Sequence, residues 1–204
     1  MLLSLMDGRA LTASELAAVS DITKQTASSH LSQLLHGGLL VRVIQGRHHY
    51  YRLSDPDIGQ AIEALLVVAA RGPGNRARAG PKDPALRKSR ICYDHLAGEL
   101  GVLMLDQMRL KRWLNGDSEN HRVTLAGWQA LASIGVTPDN LPKTKRPLCK
   151  TCLDWSMRRH HLAGQLGARV LERFFTLRWA RRVPDTRIIV FTPSGEAAFR
   201  AWLD

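Results

Sequence analysis

The chain of 204 residues, 45% of them hydrophobic, is long enough for one large domain or two small ones with a packed core. No apolar run is long enough to cross a bilayer, and the acidic Asp7 within the N-terminal MLLSLMDG argues against a signal peptide, so we expect a cytoplasmic protein without membrane contact. The formal net charge of +11, from 29 Lys and Arg against 18 Asp and Glu, suits a polyanionic partner, most simply nucleic acid, or a solubilising surface.

The first forty residues predict two short helices joined by a tight turn. Thr12 and Glu15 have the spacing of a capping box at the start of the first helix. A turn at residues 20–21 follows, and a second helix begins at residue 22 or 23 and ends at the Gly-Gly pair 37–38. This arrangement is a helix-turn-helix, in which the second helix enters the major groove of DNA.

The residues after the second helix predict a β-hairpin beside it. Residues 41–52 read as two strands around a turn at Gln45–Gly46, and the tip of the hairpin is basic. Such a hairpin is a wing that can reach flanking phosphates or the minor groove. We expect Tyr50 to face the core and Tyr51 the opposite side, although strand alternation also permits the reverse.

The small polar face of the second helix and the basic tip of the hairpin give the candidate DNA-contacting set. Hydrogen-bonding side chains of little bulk suit a helix that must read base edges in a groove. The predicted set is Thr23, Lys24, Gln25, Thr26, Ser28, Ser29, His30, Gln33, Arg47, His48, His49 and Tyr51.

This N-terminal segment resembles the winged helix-turn-helix of the ArsR/SmtB family of bacterial repressors. The resemblance is carried by Ser-x-His-Leu-x-x-Leu at residues 28–34 and Gly-Arg-x-x-Tyr-Tyr-Arg-Leu at residues 46–53, and it covers roughly the first third of the chain. It implies a homodimer that binds a pseudo-palindromic operator in double-stranded DNA and releases it when an inducer binds. The family's arsenic motif, a Cys-x-Cys before the recognition helix, is absent because residues 17–20 are Ala-Ala-Val-Ser.

The middle of the chain predicts a helix and then a linker. Residues 55–70 carry one apolar stripe at helical spacing, which could pack against a dimer mate. Residues 71–88 are rich in Gly, Pro and Arg, as linkers are. We therefore divide the chain into a winged helix-turn-helix DNA-binding domain (1–70), a linker (71–88) and a sensing or dimerisation domain (89–204).

The last domain contains an internal repeat, at about residues 90–135 and 150–204. The first copy begins with RICYDHLAGELG at residues 90–101, and the second begins with the similar TCLDWSMRRHHLAGQLG at residues 151–167. Further along each copy, an Arg-Trp pair and a Thr-x-x-Gly motif follow in the same order. Each copy predicts helix, strand and helix, and the matching apolar faces should bury each other as a pseudo-twofold unit. The expected fold class is α+β and mainly helical.

Three cysteines and two histidines in the repeat are candidates for chemistry. Cys92 and His95 are three residues apart, which would place them on one side of a helical turn, whereas Cys152 and His161 are nine apart because of an insertion. These four, with Cys149 as a further candidate, suit zinc or another transition-metal ion.

Two other interpretations of these cysteines stay open. Cys149 and Cys152 have the Cys-x-x-Cys spacing of redox pairs, so a thiol sensor that uses them together with Cys92 is one alternative. The other is that the cysteines act as small buried apolar residues.

The sequence as a whole predicts a sequence-specific DNA-binding transcriptional regulator, a repressor that an inducer releases through the C-terminal domain. The alternatives are a redox-sensing regulator and a non-specific DNA-binding architectural protein. An enzyme is not expected, because the sequence contains neither a phosphate-binding loop nor a nucleophile elbow.

Overall fold

The computed structural model describes residues 1–69, 81, 83–116 and 121–204. After a 3-10 helix at Leu2–Leu5, its first helices are α1 (Ala13–Val19) and α2 (Lys24–His36). Thr12 and Glu15 form the predicted capping box, and the hydroxyl of Thr23 accepts a hydrogen bond from the Thr26 amide to start α2. The predicted helix-turn-helix is therefore present, with α2 beginning one or two residues later than expected.

A three-stranded antiparallel sheet stands beside these helices. It consists of β1 (Leu11–Thr12), β2 (Leu40–Gln45) and β3 (His48–Leu53), in the order β1-β3-β2. Gln45 pairs with His48, so the turn of the predicted hairpin is Gly46–Arg47, one residue later than expected. Tyr51 packs against the core while Tyr50 lies beside the ring of His48, which reverses the expected assignment of the two tyrosines.

Two helices follow the sheet, α3 (Pro56–Ala69) and α4 (Pro84–Lys88). Ile58 and Ile62 of α3 pack against the N-terminal core, whereas Leu65 of the same predicted stripe is 67% exposed. Most of the predicted linker lies outside the described residues. Its last part forms the short α4.

The two C-terminal copies have the same order of elements, hairpin, helix, hairpin, helix. The first copy contains β4 (Arg90–Cys92), β5 (His95–Ala97), α5 (Glu99–Leu110), β6 (Leu114–Asn115), β7 (Arg122–Val123) and α6 (Leu125–Ser133). The second contains β8 (Lys150–Asp154), β9 (Arg159–Ala163), α7 (Gly164–Thr176), β10 (Ala180–Arg182), β11 (Ile189–Phe191) and α8 (Pro193–Leu203), after a 3-10 helix at Pro138–Asn140. The expected helix–strand–helix unit was wrong because the motif that opens each copy is a β-hairpin that runs into a helix.

The two copies pack crosswise, since α5 lies on β9 and α7 lies on β5. Their helices share one apolar cluster, in which Leu105 and Leu171 are buried together with Phe174 and Phe199. Matching faces therefore bury each other, as a pseudo-twofold unit requires.

A second apolar cluster joins the hairpins of the repeat to the helix-turn-helix. It contains Leu16 and Leu31 from α1 and α2 together with Cys92 and Cys152 from β4 and β8. The core thus continues across the boundary that the sequence suggested. Helices and small antiparallel sheets together give the expected α+β class. Within the described ranges, no helix has both the length and the apolarity that spanning a membrane requires.

Candidate functional site

The first candidate surface is the outward face of α2. Ala27 and Leu31 are buried against the core, which fixes the rotation of the helix and turns its polar residues to solvent. The exposed side chains on α2 that were predicted to contact DNA are Lys24, Gln25, Thr26, Ser28, Ser29, His30 and Gln33. Thr23 is exposed as well, and its hydroxyl also caps the helix.

The β2–β3 hairpin carries the second group of predicted DNA contacts. Arg47, His48 and His49 are exposed at or next to its tip. The amide of Leu39 donates to the carbonyl of Leu34 (2.9 Å), which ties the start of the hairpin to the end of α2. Tyr51 is half-buried against the core, so its ring is in a packing position. The polar face of α2 and the tip of the β2–β3 hairpin therefore belong to elements that are hydrogen-bonded to each other.

The second candidate site is a cluster of Cys92, His95, Cys152 and His161, which we call the Cys/His cluster. Cys92 pairs directly opposite His95 in the β4–β5 hairpin, and Cys152 pairs directly opposite His161 in the β8–β9 hairpin. The two hairpins bring the pairs together, so that one ligand atom from each side chain lies within 4.8 Å of all the others. The expected placement of Cys92 and His95 on a helical turn was therefore wrong, but the four side chains do converge.

The geometry of the Cys/His cluster is compact. The Sγ atoms of Cys92 and Cys152 are 3.9 Å apart, and the Nε2 atoms of His95 and His161 are 3.2 Å apart. All four residues are at most 2% exposed. The cluster is thus a dry site built from one Cys-His pair of each copy.

Aspartates lie behind both histidines. Asp94 Oδ1 is 3.1 Å from Nδ1 of His95, and the guanidinium of Arg146 binds the same carboxylate. Asp154 Oδ2 is 3.6 Å from Nδ1 of His161. Each carboxylate therefore faces the outer ring nitrogen and leaves the two Nε2 atoms pointing towards each other.

Asp154 is held by several donors at once. Its Oδ2 accepts hydrogen bonds from Arg90 (2.9 Å) and from the Gly98 amide (2.7 Å), and its Oδ1 accepts from the Ser156 amide (2.9 Å). Burial alone would raise the pKa of Asp154, but the charge of Arg90 and these hydrogen bonds lower the pKa below its usual range. The carboxylate is therefore ionised and fixed in place.

The pKa values of three other groups of the cluster shift in different directions. Burial lowers the pKa of His95, but the proximity of Cys92 and the hydrogen bond with Asp94 outweigh it and raise the pKa to about 9. The hydrogen bond with Cys152, together with burial, raises the pKa of the Cys92 thiol well above its usual value. Burial, followed by the proximity of His95, lowers the pKa of His161. Neutral imidazole is the form that can donate a nitrogen lone pair to a metal ion.

Cys149 stands apart from the Cys/His cluster. It packs in the apolar cluster between the two copies, whereas Cys152 packs in the cluster that contains α1 and α2. Burial raises the pKa of the Cys149 thiol to about 12, which makes it a poor nucleophile. The neighbour of Cys152 in the fold is Cys92 rather than Cys149.

One buried ionic network was not anticipated from the sequence. Glu63 of α3 lies 3.8 Å from Arg90 and 3.3 Å from Arg187, and it is fully buried. Burial raises the pKa of Glu63 despite the opposing charges of these arginines. The available signal was a charged residue inside the apolar run that ends α3, and the network connects that helix to both copies.

Comparison with known proteins agrees with the N-terminal architecture. Residues 1–43 match a family model described as a helix-turn-helix domain. Over all 204 residues, the chain is 40% identical to the uncharacterized HTH-type transcriptional regulator YdfF of Bacillus subtilis (strain 168), and it covers 90% of that protein. No solved structure was found to match the chain. The chain therefore belongs to a family of HTH-type transcriptional regulators.

Proposed function

We propose that the protein is a repressor that binds a pseudo-palindromic operator as a homodimer and releases it when an inducer acts on the C-terminal domain. The observation that carries this proposal is the exposed polar face of α2, rotated outwards by the buried Ala27 and Leu31. In a helix-turn-helix, the second helix lies in the major groove with its N-terminal residues against the base edges.

The residues of α2 have distinct roles in this proposal. Gln25, near the N-terminus of the helix, can make the bidentate contact with adenine that glutamine favours, and Ser28 and Ser29 can contact any base. Lys24 and Arg47 bind phosphates of the DNA backbone. Arg47 does so from the tip of the β2–β3 hairpin, which acts as the wing. Phosphate contacts position the protein, and base contacts select the operator.

A second copy of the chain is the partner proposed for α3. Leu65 and Val68 are 67% and 62% exposed, and Ala61 and Ala64 are exposed beside them at helical spacing. An apolar stripe of this kind supports an interface between two copies, since soluble helices usually present polar residues to water. A twofold dimer would place its two recognition helices about one DNA turn, roughly 34 Å, apart.

Release by an inducer requires that the C-terminal domain influence α1 and α2. The shared apolar cluster, in which Cys92 and Cys152 pack together with Leu16 and Leu31, supports such an influence. A displacement of β4 or β8 would shift the side chains of α1 and α2 that pack against it, because closely packed cores transmit small displacements.

Fluorescence anisotropy with the full-length protein tests this function. The labelled probe is the DNA upstream of its own gene, and unlabelled DNA of unrelated sequence is the competitor. We expect binding to the upstream DNA at least about a thousandfold tighter than to competitor. Equal affinity for the two DNAs would contradict sequence-specific binding to an operator and would indicate non-specific DNA binding.

The role of α2 is tested by a matched pair of substitutions. Gln25→Ala should weaken specific binding by roughly fivefold to a hundredfold, which corresponds to loss of one bidentate base contact. Gln129→Ala changes the same residue type at an exposed position of α6 in the C-terminal domain and should leave affinity unchanged. If both variants bind as the wild type does, Gln25 does not read the operator.

A further inference from the structure

We propose that Cys92, His95, Cys152 and His161 bind one zinc-type metal ion in tetrahedral coordination. This inference concerns the C-terminal repeat and does not depend on the DNA-binding function proposed above. Two hairpins, each supplying one cysteine and one histidine, form the site.

The sulfur–sulfur and nitrogen–nitrogen distances in the Cys/His cluster fit this coordination. With Zn–S bonds of about 2.3 Å and Zn–N bonds of about 2.0–2.1 Å, tetrahedral angles place two sulfurs about 3.8 Å apart and two nitrogens about 3.3 Å apart. The corresponding separations are 3.9 Å for the Sγ atoms of Cys92 and Cys152 and 3.2 Å for the Nε2 atoms of His95 and His161. The like atoms therefore already lie at the spacing that a shared ion requires.

The carboxylates behind the histidines provide the outer shell that metal sites commonly have. A histidine ligand usually directs its other ring nitrogen to a carboxylate, which fixes the orientation of the ring and raises its basicity. Asp94 lies 3.1 Å from Nδ1 of His95, and Asp154 lies 3.6 Å from Nδ1 of His161. The contact with Asp94 fixes the ring of His95, whereas Nδ1 of His161 lies near Asp154 without a hydrogen bond. The two Nε2 atoms face each other at 3.2 Å.

Packing alone gives a poorer account of this arrangement. Cysteine behaves as a small apolar residue, but two buried imidazoles that face each other through Nε2 are polar groups that need partners. One hydrogen bond can join the two Nε2 atoms and a second can join the two sulfurs, yet neither explains why both pairs converge on one point. A metal ion satisfies all four atoms together.

The donor set also indicates the class of ion. Two thiolates and two imidazoles favour zinc and related thiophilic ions over magnesium or calcium, which prefer oxygen ligands. Four protein ligands complete the tetrahedron, and the site is almost fully buried, so no position is left for a substrate. The ion would join the two copies, because each copy supplies half of the ligands.

The first measurement is the metal content of untagged full-length protein. Metal-free, reduced protein is titrated with Zn²⁺, and cobalt(II) is used as a spectroscopic replacement. We expect one ion per chain and a cobalt spectrum with thiolate charge-transfer bands and the intense d–d bands of a tetrahedral site. Failure to bind either ion would overturn the proposal, as would a cobalt spectrum typical of six oxygen ligands.

Cysteine variants localise the ion. Cys152→Ser should remove the thiolate bands and weaken zinc binding by at least a hundredfold. Cys149→Ser replaces a cysteine that is also buried but lies in the other apolar cluster, and it should retain one ion per chain. Equal effects of the two substitutions would contradict the assignment. If both variants fail to fold, the cobalt spectrum of the wild type decides.

A disulfide between Cys92 and Cys152 is the chemical rival. Their sulfurs are 3.9 Å apart, whereas an S–S bond is about 2.05 Å long, so the two sulfurs would have to move closer together. Mass spectrometry of the protein isolated without reductant distinguishes the two. A loss of two hydrogens together with absence of bound metal would overturn the proposal in favour of a redox pair.

Discussion

The guanidinium of Arg90 and the carboxylate of Asp154 form an ion pair of 2.9 Å in which neither side chain is exposed to solvent. The two residues come from β4 and β8, the first strands of the two copies, and Glu63 of α3 lies 3.8 Å from the same guanidinium. Because charges buried in protein need partners, this network fixes the relative positions of the two hairpins and of the helix that follows the N-terminal sheet.

Removing the carboxylate charge should therefore be costly. Asp154→Asn leaves Arg90 without its closest partner, and we expect a loss of about 3–5 kcal/mol in the free energy of unfolding. Urea denaturation followed by circular dichroism, with chelator present throughout, measures this loss.

Asp106→Asn is the control for this prediction. It breaks the 2.7 Å ion pair between Asp106 and Arg159, whose side chains are accessible to water, so its effect should stay within about 1 kcal/mol. Similar losses in the free energy of unfolding in the two variants would show that the buried network stabilises the fold no more than an exposed ion pair does.

The close packing of α7 on β9 of its own copy and on β5 of the other copy predicts that glycine is required at position 167. A Cβ added there would lie 2.5 Å from the carbonyl oxygen of Leu162 and 3.2 Å from Cβ of His95, and the first of these is backbone that cannot rotate away. We expect Gly167→Ala to destabilise the protein by about 1–3 kcal/mol through overpacking. Thermal unfolding monitored by circular dichroism is the measurement.

Gly59 in α3 offers the matched helical control. The nearest atom to an added Cβ is 3.7 Å away, at ordinary contact distance. Gly59→Ala should be neutral or stabilising by about 0.5–1 kcal/mol, since alanine favours the helix. If Gly167→Ala were as well tolerated as Gly59→Ala, the close approach of α7 to the backbone of β9 would be contradicted.

The helix-turn-helix could be predicted from the sequence because its signals are local. The capping box of Thr12 and Glu15 and the Gly37–Gly38 pair act within one helical turn, and the structure places the helix ends next to them. The partners of Glu63 could not be predicted in this way, since Arg90 and Arg187 are distant from it in sequence and meet it only after the elements pack.

The Cys/His cluster was harder to predict because the same spacing fits two structures. The members of the first pair, Cys92 and His95, are three positions apart in sequence, which suits a helical turn and also suits a hairpin with a two-residue turn. Tyr93 begins that turn with φ +58°, where glycine is usual, so the sequence carried no turn signal. Convergence of the pairs then depends on the packing of the copies, which spacing cannot reveal.

The insertion in the second copy was a misleading signal for a related reason. A spacing of nine instead of three predicts that Cys152–His161 is not equivalent to Cys92–His95. In an antiparallel hairpin, however, two residues stay opposite when both sides of the turn lengthen equally. The extra residues form two further pairs, Leu153–His160 and Asp154–Arg159, and a longer turn.

Binding to DNA should depend on salt, and Arg47 should contribute to that dependence. A phosphate contact by the exposed Arg47 would release about one counterion, so Arg47→Ala should weaken binding to all sequences alike and reduce the slope of log K against log salt by about 1. Arg181→Ala removes an exposed arginine from β10 and should leave the slope unchanged. Anisotropy titrations at several salt concentrations give both slopes, and unchanged slopes in both variants would remove Arg47 from the interface.

The proposed dimer predicts the effect of a charge on the exposed stripe of α3. Leu65→Glu would bury a carboxylate in an apolar interface, and we expect it to convert the dimer into a monomer at micromolar concentration. Leu125→Glu makes the same change at a 77% exposed leucine of α6 and should leave the dimer intact. Sedimentation velocity measures both variants and the wild type, and a Leu65→Glu variant that remains dimeric would place the interface elsewhere.

Removal of the proposed metal ion should lower the melting temperature of the protein. A ligand that binds only the folded state stabilises it by about 4 kcal/mol when its free concentration is about a thousand times its dissociation constant. The ion would tie β4–β5 to β8–β9 inside a core that also contains Leu16 and Leu31, so the whole transition should shift rather than one part of it. Calorimetry with chelator, and again after Zn²⁺ is restored in excess, should show a reversible loss and recovery in the wild type and in Cys149→Ser. The Cys152→Ser variant should have the same melting temperature with chelator and with excess Zn²⁺, because it lacks one of the four ligands of the ion.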